Sequence, residues 1–430
     1  MTEIFENIPQ DFMFGASTAG GQVEGNHNSD WEDFEKRNSI SLAADSKANN
    51  KDYGNGSLPP KTYELLKDEL SDPLNYISGS AAGWRQGHYI EDLDLAQDMG
   101  LTAIRFSPER SWLQPSSSPI LDEEAIVHYR KFIDECIKRG IEPIPTLFHF
   151  TNPLWIQNKG GWENKDIRES YNRYTKSLLQ SLDREFRHVL TINEPEVYTF
   201  MGWIAGEWPQ ERKIALIKAM HVRKNLIEAH KKMYSTIKEY DDTILISASV
   251  NLQDIEPSSS RKSDKIGTSL SEKMSNTLFL PKIKDEIDFI ALNHYLHNVQ
   301  RGVIPIKYID TGEPKSDIGW NLNPDSLYRV LLSLRKYKKP IIITEHGVAD
   351  KKDTNRSQVL INAISSINRA IGEGIDVRGY LHWSLIDNFE WDKGKAMRFG
   401  LIEVDYKTQK RTPRKSATTY ADIIRKTRYK

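Results

Sequence analysis

Residues 188–197, HVLTINEPEV, carry an apolar, β-branched run straight into Asn193, Glu194 and Pro195. Such a run suits a buried strand, and the acid stands where the strand stops. The arrangement returns at residues 341–347, IIITEHG, where Glu345 closes a second apolar run. Taken alone, Asn-Glu-Pro is a helix start, with Asn as cap and Pro in the first turn. Two strands ending in glutamate pose a different question: whether two carboxylates converge on one ligand.

Working outward, short β-rich runs recur at 12–18, 103–107, 142–149, 188–193, 245–251, 287–293, 340–345 and 377–384. Between them lie amphipathic stretches such as 122–139 and 215–239, with apolar residues three and four apart. Eight strands alternating with helices predict an α/β fold, a single (β/α)8 TIM barrel over residues 1–430. Residues 39–80, which include NNKDYGNGSLPP, form the longest irregular segment and are expected to hold one short helix at 61–70. As the long loop after the first strand, they would lie on the face where barrel active sites form. The polar stretch PSSSRKSDK, 257–265, is expected to be a solvated loop.

Composition narrows the function. The 430 residues hold 59 Lys plus Arg against 60 Asp plus Glu, a net charge of −1. A balance that close supplies no overall field for nucleic acid or an anionic membrane and favours a neutral ligand. Ten Trp and eighteen Tyr offer flat faces for apolar or sugar-ring contact. Cys136 is the one cysteine, so neither an internal disulfide nor a multi-cysteine metal site can form. The polar, acidic start MTEIFENIPQDF is unlike a secretory signal, and no run reaches roughly 18 apolar residues. A cytoplasmic location is the simplest expectation.

The chemistry gathers at strand ends. Gln22 and Glu24 follow the first strand, Arg105 lies in the second, and His149 ends the third. Asn193 and Glu194, Asn293 and Tyr295, Glu345, and then Trp383, Glu390 and Trp391 follow on later ones. Each has an ordinary reading: His149 or Trp383 as core, Arg105 as an ion-pair partner inside the barrel. Recurrence at the same end of most strands is what points to a pocket. HExxH, a complete GxGxxG, GxxxxGK[ST] and GxSxG are all missing. Paired carboxylates suit glycosidic cleavage, where one protonates the leaving oxygen and the other faces the anomeric carbon. A separation of ~5 Å gives retention and ~6.5–9.5 Å inversion, and the shorter is expected here.

In these residues the chain resembles the family 1 glycoside hydrolases. The likeness runs from FMFGASTAGGQVEG through GGW (160–162), TINEP, GEWP (206–209), ALNHY and ITEHG to HWSLIDNFEWDKGKAMRFGLIEVDY (382–406). The resemblance implies a cofactor-free barrel that hydrolyses β-glucosides, β-galactosides or β-fucosides with retention. It implies Glu194 as acid/base, Glu345 as nucleophile, and Asn193 on the sugar 2-hydroxyl. Tyr295 and Arg105 would hold Glu345 as a carboxylate. Gln22, His149, Asn293 and Glu390 would line the sugar site, with Trp383 as stacking platform and Trp391 as N–H donor. Trp320 would border the aglycone. The implied partner is a small β-glycoside, with no metal, nucleic acid or membrane, and a homo-oligomer stays open.

Glu390-Trp391 stands where relatives acting on 6-phosphorylated sugars carry phosphate-binding residues, so a 6-phospho-β-glycosidase is the second reading. A non-catalytic sugar-binding barrel is the third, and retention of both glutamates argues against it. Some positions depart from the family pattern. Arg110 and Trp112 have traded places, and Gly21 precedes Gln22 in place of an aromatic or histidine. GWRQGHY occupies 83–89, with Trp84 and His88, and His346 follows the nucleophile position. The changes at Gly21 and Trp84 are expected to loosen the pocket wall.

Overall fold

A computed structural model describes residues 5–25, 27–48 and 58–428. Eight parallel strands form its central sheet: β1 (Met13–Ser17), β2 (Ala103–Phe106), β3 (Glu142–Pro145), β4 (His188–Asn193), β5 (Leu245–Asn251), β6 (Ile290–Asn293), β7 (Ile341–His346) and β8 (Val377–Trp383). They follow one another in chain order, with β8 returning to pair with β1. Between β3 and β4 the ring closes by irregular bonds, Leu147 N to Leu190 O at 2.8 Å and Asn193 N to Phe148 O at 2.8 Å. This is the TIM barrel expected from the alternation of strands and helices. The strand bounds match closely, except that β3 stops at Pro145 and not at His149, and β6 starts at Ile290 and not at 287.

The period of two decides what faces inward. Ile104 and Phe106 turn out to the helices, whereas Ala103 and Arg105 turn in. Ala103, Ile144, Leu190, Phe289, Ala291, Ile342 and Leu381 fill the barrel with one apolar plug. Gly15 belongs to this tight packing, since a Cβ there would meet the Ala103 carbonyl oxygen at 2.5 Å. Further along each strand the same inward face becomes polar, with Arg105, Thr146, Asn293 and Thr344 all buried. Helices such as Glu123–Lys138, capped by the Asp122 side chain on Ala125 N, and Leu216–Tyr240 cover the outside. No described helix is long and apolar enough to cross a membrane.

Two loop expectations are corrected. Helix Asp30–Lys47 runs well into the segment read as irregular, and its N-cap Ser29 accepts from Glu32 N. Its buried face is Trp31, Phe34, Glu35, Ser39, Ala43 and Ser46, which is too polar and small to show as an apolar stripe. The expected short helix is Pro60–Leu70, and residues 49–57 lie outside the described ones. In 257–265 a helix, Lys262–Asn276, begins inside the supposed loop. Asp264 is buried there and accepts from Ser258 Oγ at 2.8 Å, Ser259 Oγ at 2.6 Å and Gly302 N at 2.9 Å.

Trp84 does not border the barrel mouth. It is buried against Phe132, with ring centroids 5.2 Å apart, and its indole N–H donates to Asp92 Oδ2 at 2.8 Å. Asp92 in turn pairs with Arg411, both side chains fully buried, which ties the helix after residue 88 to the strand 411–413 near the C-terminus. Replacing Asp92 by Ala leaves a guanidinium and an indole N–H buried without their acceptor. Asp92→Ala is expected to lower the unfolding free energy by roughly 3–5 kcal/mol. Urea denaturation checks it, and a loss below about 1 kcal/mol would show that the pair is not structural.

Candidate active site

Arg105 is the hub of the polar end of the barrel, with 0% of its surface exposed. Each face of its guanidinium edge is used. Nε donates to Thr146 Oγ1 at 2.9 Å, Nη2 donates to Asn193 Oδ1 at 2.7 Å, and Nη1 is paired with Glu345 Oε1. The second oxygen of Glu345 accepts from Tyr295 OH at 2.8 Å. A fixed cation and a phenol therefore bind the two oxygens of one carboxylate and aim it.

Glu194 has different neighbours. Its Oε1 accepts from Asn293 Nδ2 at 2.7 Å and Asn251 Nδ2 at 3.1 Å, and no cation among the described residues bonds to it. Burial, and then the negative charge of Glu345, push it well above the ordinary glutamate value. Its backbone is left-handed, with φ at +41°, and its N–H is held by Ser249 O at 2.9 Å. A non-glycine residue there stores about 1–3 kcal/mol, a cost tolerated where a side chain must be aimed. Two carboxyl groups at one barrel end thus differ in environment: one is paired with a cation, and the other is bound by amides and shifted toward its protonated form.

Amide orientation links the two. Asn193 Oδ1 accepts from Arg105 and from Asn293 Nδ2 at 3.1 Å, so its Nδ2 turns to His149 Nε2 at 3.1 Å. Burial and then the charge of Arg105 push His149 well below the ordinary histidine value, so it is neutral. With Nε2 accepting, the proton sits on Nδ1 and is donated to Ser107 Oγ at 3.0 Å. Asn293 Oδ1 is fixed by Thr344 Oγ1 at 2.7 Å.

Beside this centre, Gln22 Nε2 donates to Phe389 O at 2.8 Å, Asn388 Oδ1 at 3.1 Å and Glu390 Oε2 at 3.3 Å. Its Oε1 has no partner among the described residues and is an open acceptor. Burial, then the charge of Glu345, push Glu390 up to about 8, so at neutral pH it is an uncharged acid that can both donate and accept. Trp383 and Trp391 flank His149 with centroids 6.0 and 6.1 Å away, each tilted 27° from its ring. Trp320 stands apart, half-buried, against Tyr295 at 5.6 Å and Phe399 at 6.2 Å.

The residues to which the family resemblance gives a role thus lie at the polar barrel end or its rim. Asn251 was not among them, and nothing marked it beyond its place at the end of β5. Glu24 falls outside, because both its oxygens accept from Tyr129 OH at 2.8 Å, behind the pocket. The wall at Gly21 is not loosened: a Cβ there would meet Thr151 Cγ2 at 2.8 Å and Trp391 Cη2 at 3.4 Å, so neighbours already fill that space. Arg110 lies in the helix layer, over Tyr171 and Tyr174 at 4.3 and 4.5 Å, and Arg85 lies over the Trp112 ring at 4.1 Å. The exchange at 110 and 112 therefore repacks the barrel exterior.

The model for glycosyl hydrolase family 1 matches residues 85–283 and 280–429. The chain is 27% identical to a 1,4-beta-D-glucan glucohydrolase of Thermotoga neapolitana over 98% of both chains. It is 26% identical to beta-glucosidase A of Thermotoga maritima, again over 98% of each. Among solved structures, a beta-glycosidase from Pyrococcus horikoshii is 31% identical with a TM-score of 0.81, over 98% of this chain and 95% of that one.

Because the charge of Glu345 helps to push Glu194 up, removing it should act on Glu194 directly. In Glu345→Gln the Glu194 carboxyl is expected to titrate at lower pH than in the parent, read from carboxyl carbon NMR shifts. An unchanged or higher value would mean that the two groups are not electrostatically coupled.

Proposed function

The chain belongs to glycosyl hydrolase family 1, and from that premise we propose that it is a retaining β-glycosidase acting on small neutral β-glycosides. The observation that carries the reading is the contrast between Glu345, bound by Arg105 and Tyr295, and Glu194, bound by amides and shifted toward its protonated form. Retention needs those two states in one pocket.

In the first step Glu345 attacks the anomeric carbon while Glu194 gives its proton to the leaving oxygen, so the aglycone departs as a neutral alcohol. Ester formation neutralises Glu345 and removes the repulsion that raises Glu194, which now holds a carboxylate more readily. In the second step that carboxylate takes a proton from water as the water oxygen displaces Glu345. Both carboxyls return to their starting forms, and two displacements restore the anomeric configuration. Asn193, fixed between Arg105 and His149, is suited to the sugar 2-hydroxyl, where a hydrogen bond strengthens as charge develops. Gln22 and Glu390 supply acceptors and a donor for outer hydroxyls, Trp383 a flat face for the ring, and Trp320 a border for the aglycone. Glu390 offers a 6-phosphate no cation, and the nearby Lys393 is already paired with Asp392 at 2.7 Å.

Assays on nitrophenyl β-glucoside, β-galactoside and β-fucoside and on 6-phosphorylated sugars test this reading. Glu345→Ala should fall to background, and Glu194→Ala should lose roughly 10²–10⁴-fold in kcat on poor leaving groups while keeping activity on activated ones. Undiminished turnover in Glu345→Ala, or a preference for the phosphorylated sugars, would reject it. The pH profile gives a further check. A raised Glu194 pKa keeps the acid protonated beyond the ordinary glutamate range, so kcat/KM on a poor leaving group persists there and falls as pH rises through that pKa. In Glu194→Ala with a dinitrophenyl glycoside, which needs no proton, that alkaline fall should vanish; its persistence would assign the limb to another group.

A further inference from the structure

Outside the pocket, one face of the molecule is unusually apolar. Helix Lys262–Asn276 turns Ile266, Leu270 and Met274, four residues apart in succession, to solvent with 52%, 42% and 48% of their surfaces exposed. Beside it the loop 301–307, RGVIPIK, exposes Val303, Ile304 and Ile306 by 51%, 61% and 43%. Loop and helix are one rigid platform. Ile306 N donates to Ser271 Oγ at 2.8 Å, Gln300 Nε2 donates to Ile304 O at 2.7 Å, and Gly302 N donates to buried Asp264. Contact is so close at Gly267 that a Cβ would stand 1.9 Å from Gly302 O. Six large aliphatic side chains held together in water are a surface that calls for a partner.

The charges around them select its chemistry. Lys262, Lys265 and Lys273 flank the helix face, and Arg301 and Lys307 stand at the two ends of the loop, all five exposed. None of them forms an ion pair among the described residues. Acids are fewer: Asp264 is buried under serine hydroxyls, and Glu272, seven positions after Lys265, is the one exposed acid of the helix, leaving five cations against it. A net charge of −1 over the whole chain conceals this local excess. A second copy docking by two-fold symmetry would set the patch against itself and bring five unpaired cations against five. Anionic headgroups would neutralise those cations while the aliphatic tips enter the acyl boundary.

We propose that helix Lys262–Asn276 and loop 301–307 dock this protein reversibly on an anionic lipid bilayer. The strand 297–300 that leads into the loop begins two residues after Tyr295, and Asn321, next to Trp320, donates to His297 O at 3.2 Å. Docking would therefore bring the aglycone side of the pocket toward the lipid, where β-glycosides with apolar aglycones collect.

Flotation of the full chain with phosphatidylcholine vesicles, with and without phosphatidylglycerol, tests it. Binding should require phosphatidylglycerol and weaken as salt is raised. The double variant Ile304→Ser, Leu270→Ser should bind those vesicles about tenfold or more weakly, yet hydrolyse a soluble nitrophenyl glycoside as the parent does. No binding to phosphatidylglycerol vesicles, or equal binding by the double variant, would overturn the proposal. So would concentration-dependent self-association of the parent that the double variant abolishes, since the face would then be occupied by a second copy.

Discussion

The buried guanidinium of Arg105 is the constraint on which the polar end of this barrel depends. A charge that deep survives only if each of its three nitrogens finds an acceptor and one acceptor is an anion. Glu345 supplies the charge, Asn193 and Thr146 the rest. The arrangement explains why these residues are where they are on three neighbouring and distant strands. Arg105 needs Asn193 Oδ1, which turns the Asn193 amide nitrogen toward His149. That in turn needs a neutral imidazole, which burial and the same guanidinium provide. One cation therefore orders a carboxylate, an amide and a tautomer at once.

The asymmetry between the two carboxyl groups follows from the same interaction. Arg105 can lie against only one of them, and what remains for Glu194 is amide donors and the repulsion of a neighbouring anion. The repulsion acting on Glu194 exists only while Glu345 is charged, so an event at one carboxyl alters the proton affinity of the other. That coupling makes a two-step displacement at a single site physically economical.

Much of this was legible in the chain because strand periodicity is local. Alternation put Ala103 and Arg105 on one face and set Asn193 and Glu345 at strand ends, and the structure keeps all eight strands. What escaped depends on contacts distant in sequence. Helix Asp30–Lys47 buries Glu35 and three small residues besides its two aromatics, so no apolar stripe announced it. Gly21 looked like a missing wall residue, but Thr151 and Trp391 occupy that wall from elsewhere in the chain. Trp84 looked like a change in the pocket wall, and the exchange at 110 and 112 had no evident setting, because their partners, Asp92 with Arg411 and the tyrosine pair 171 and 174, cannot be inferred from their neighbours in sequence. Asn251 bonds Glu194, yet an asparagine at the end of a strand carries no signal of its own.

The central claim is that Glu345 becomes covalently glycosylated. Incubation with a 2-deoxy-2-fluoro-β-glucoside bearing a good leaving group, followed by peptide mass spectrometry, tests it most directly. One fluoroglucosyl group per chain is expected, on the peptide containing Glu345 and absent in Glu345→Gln. An adduct on Glu194 or another residue, or rapid turnover with no trapped species and an inverted product, would contradict it.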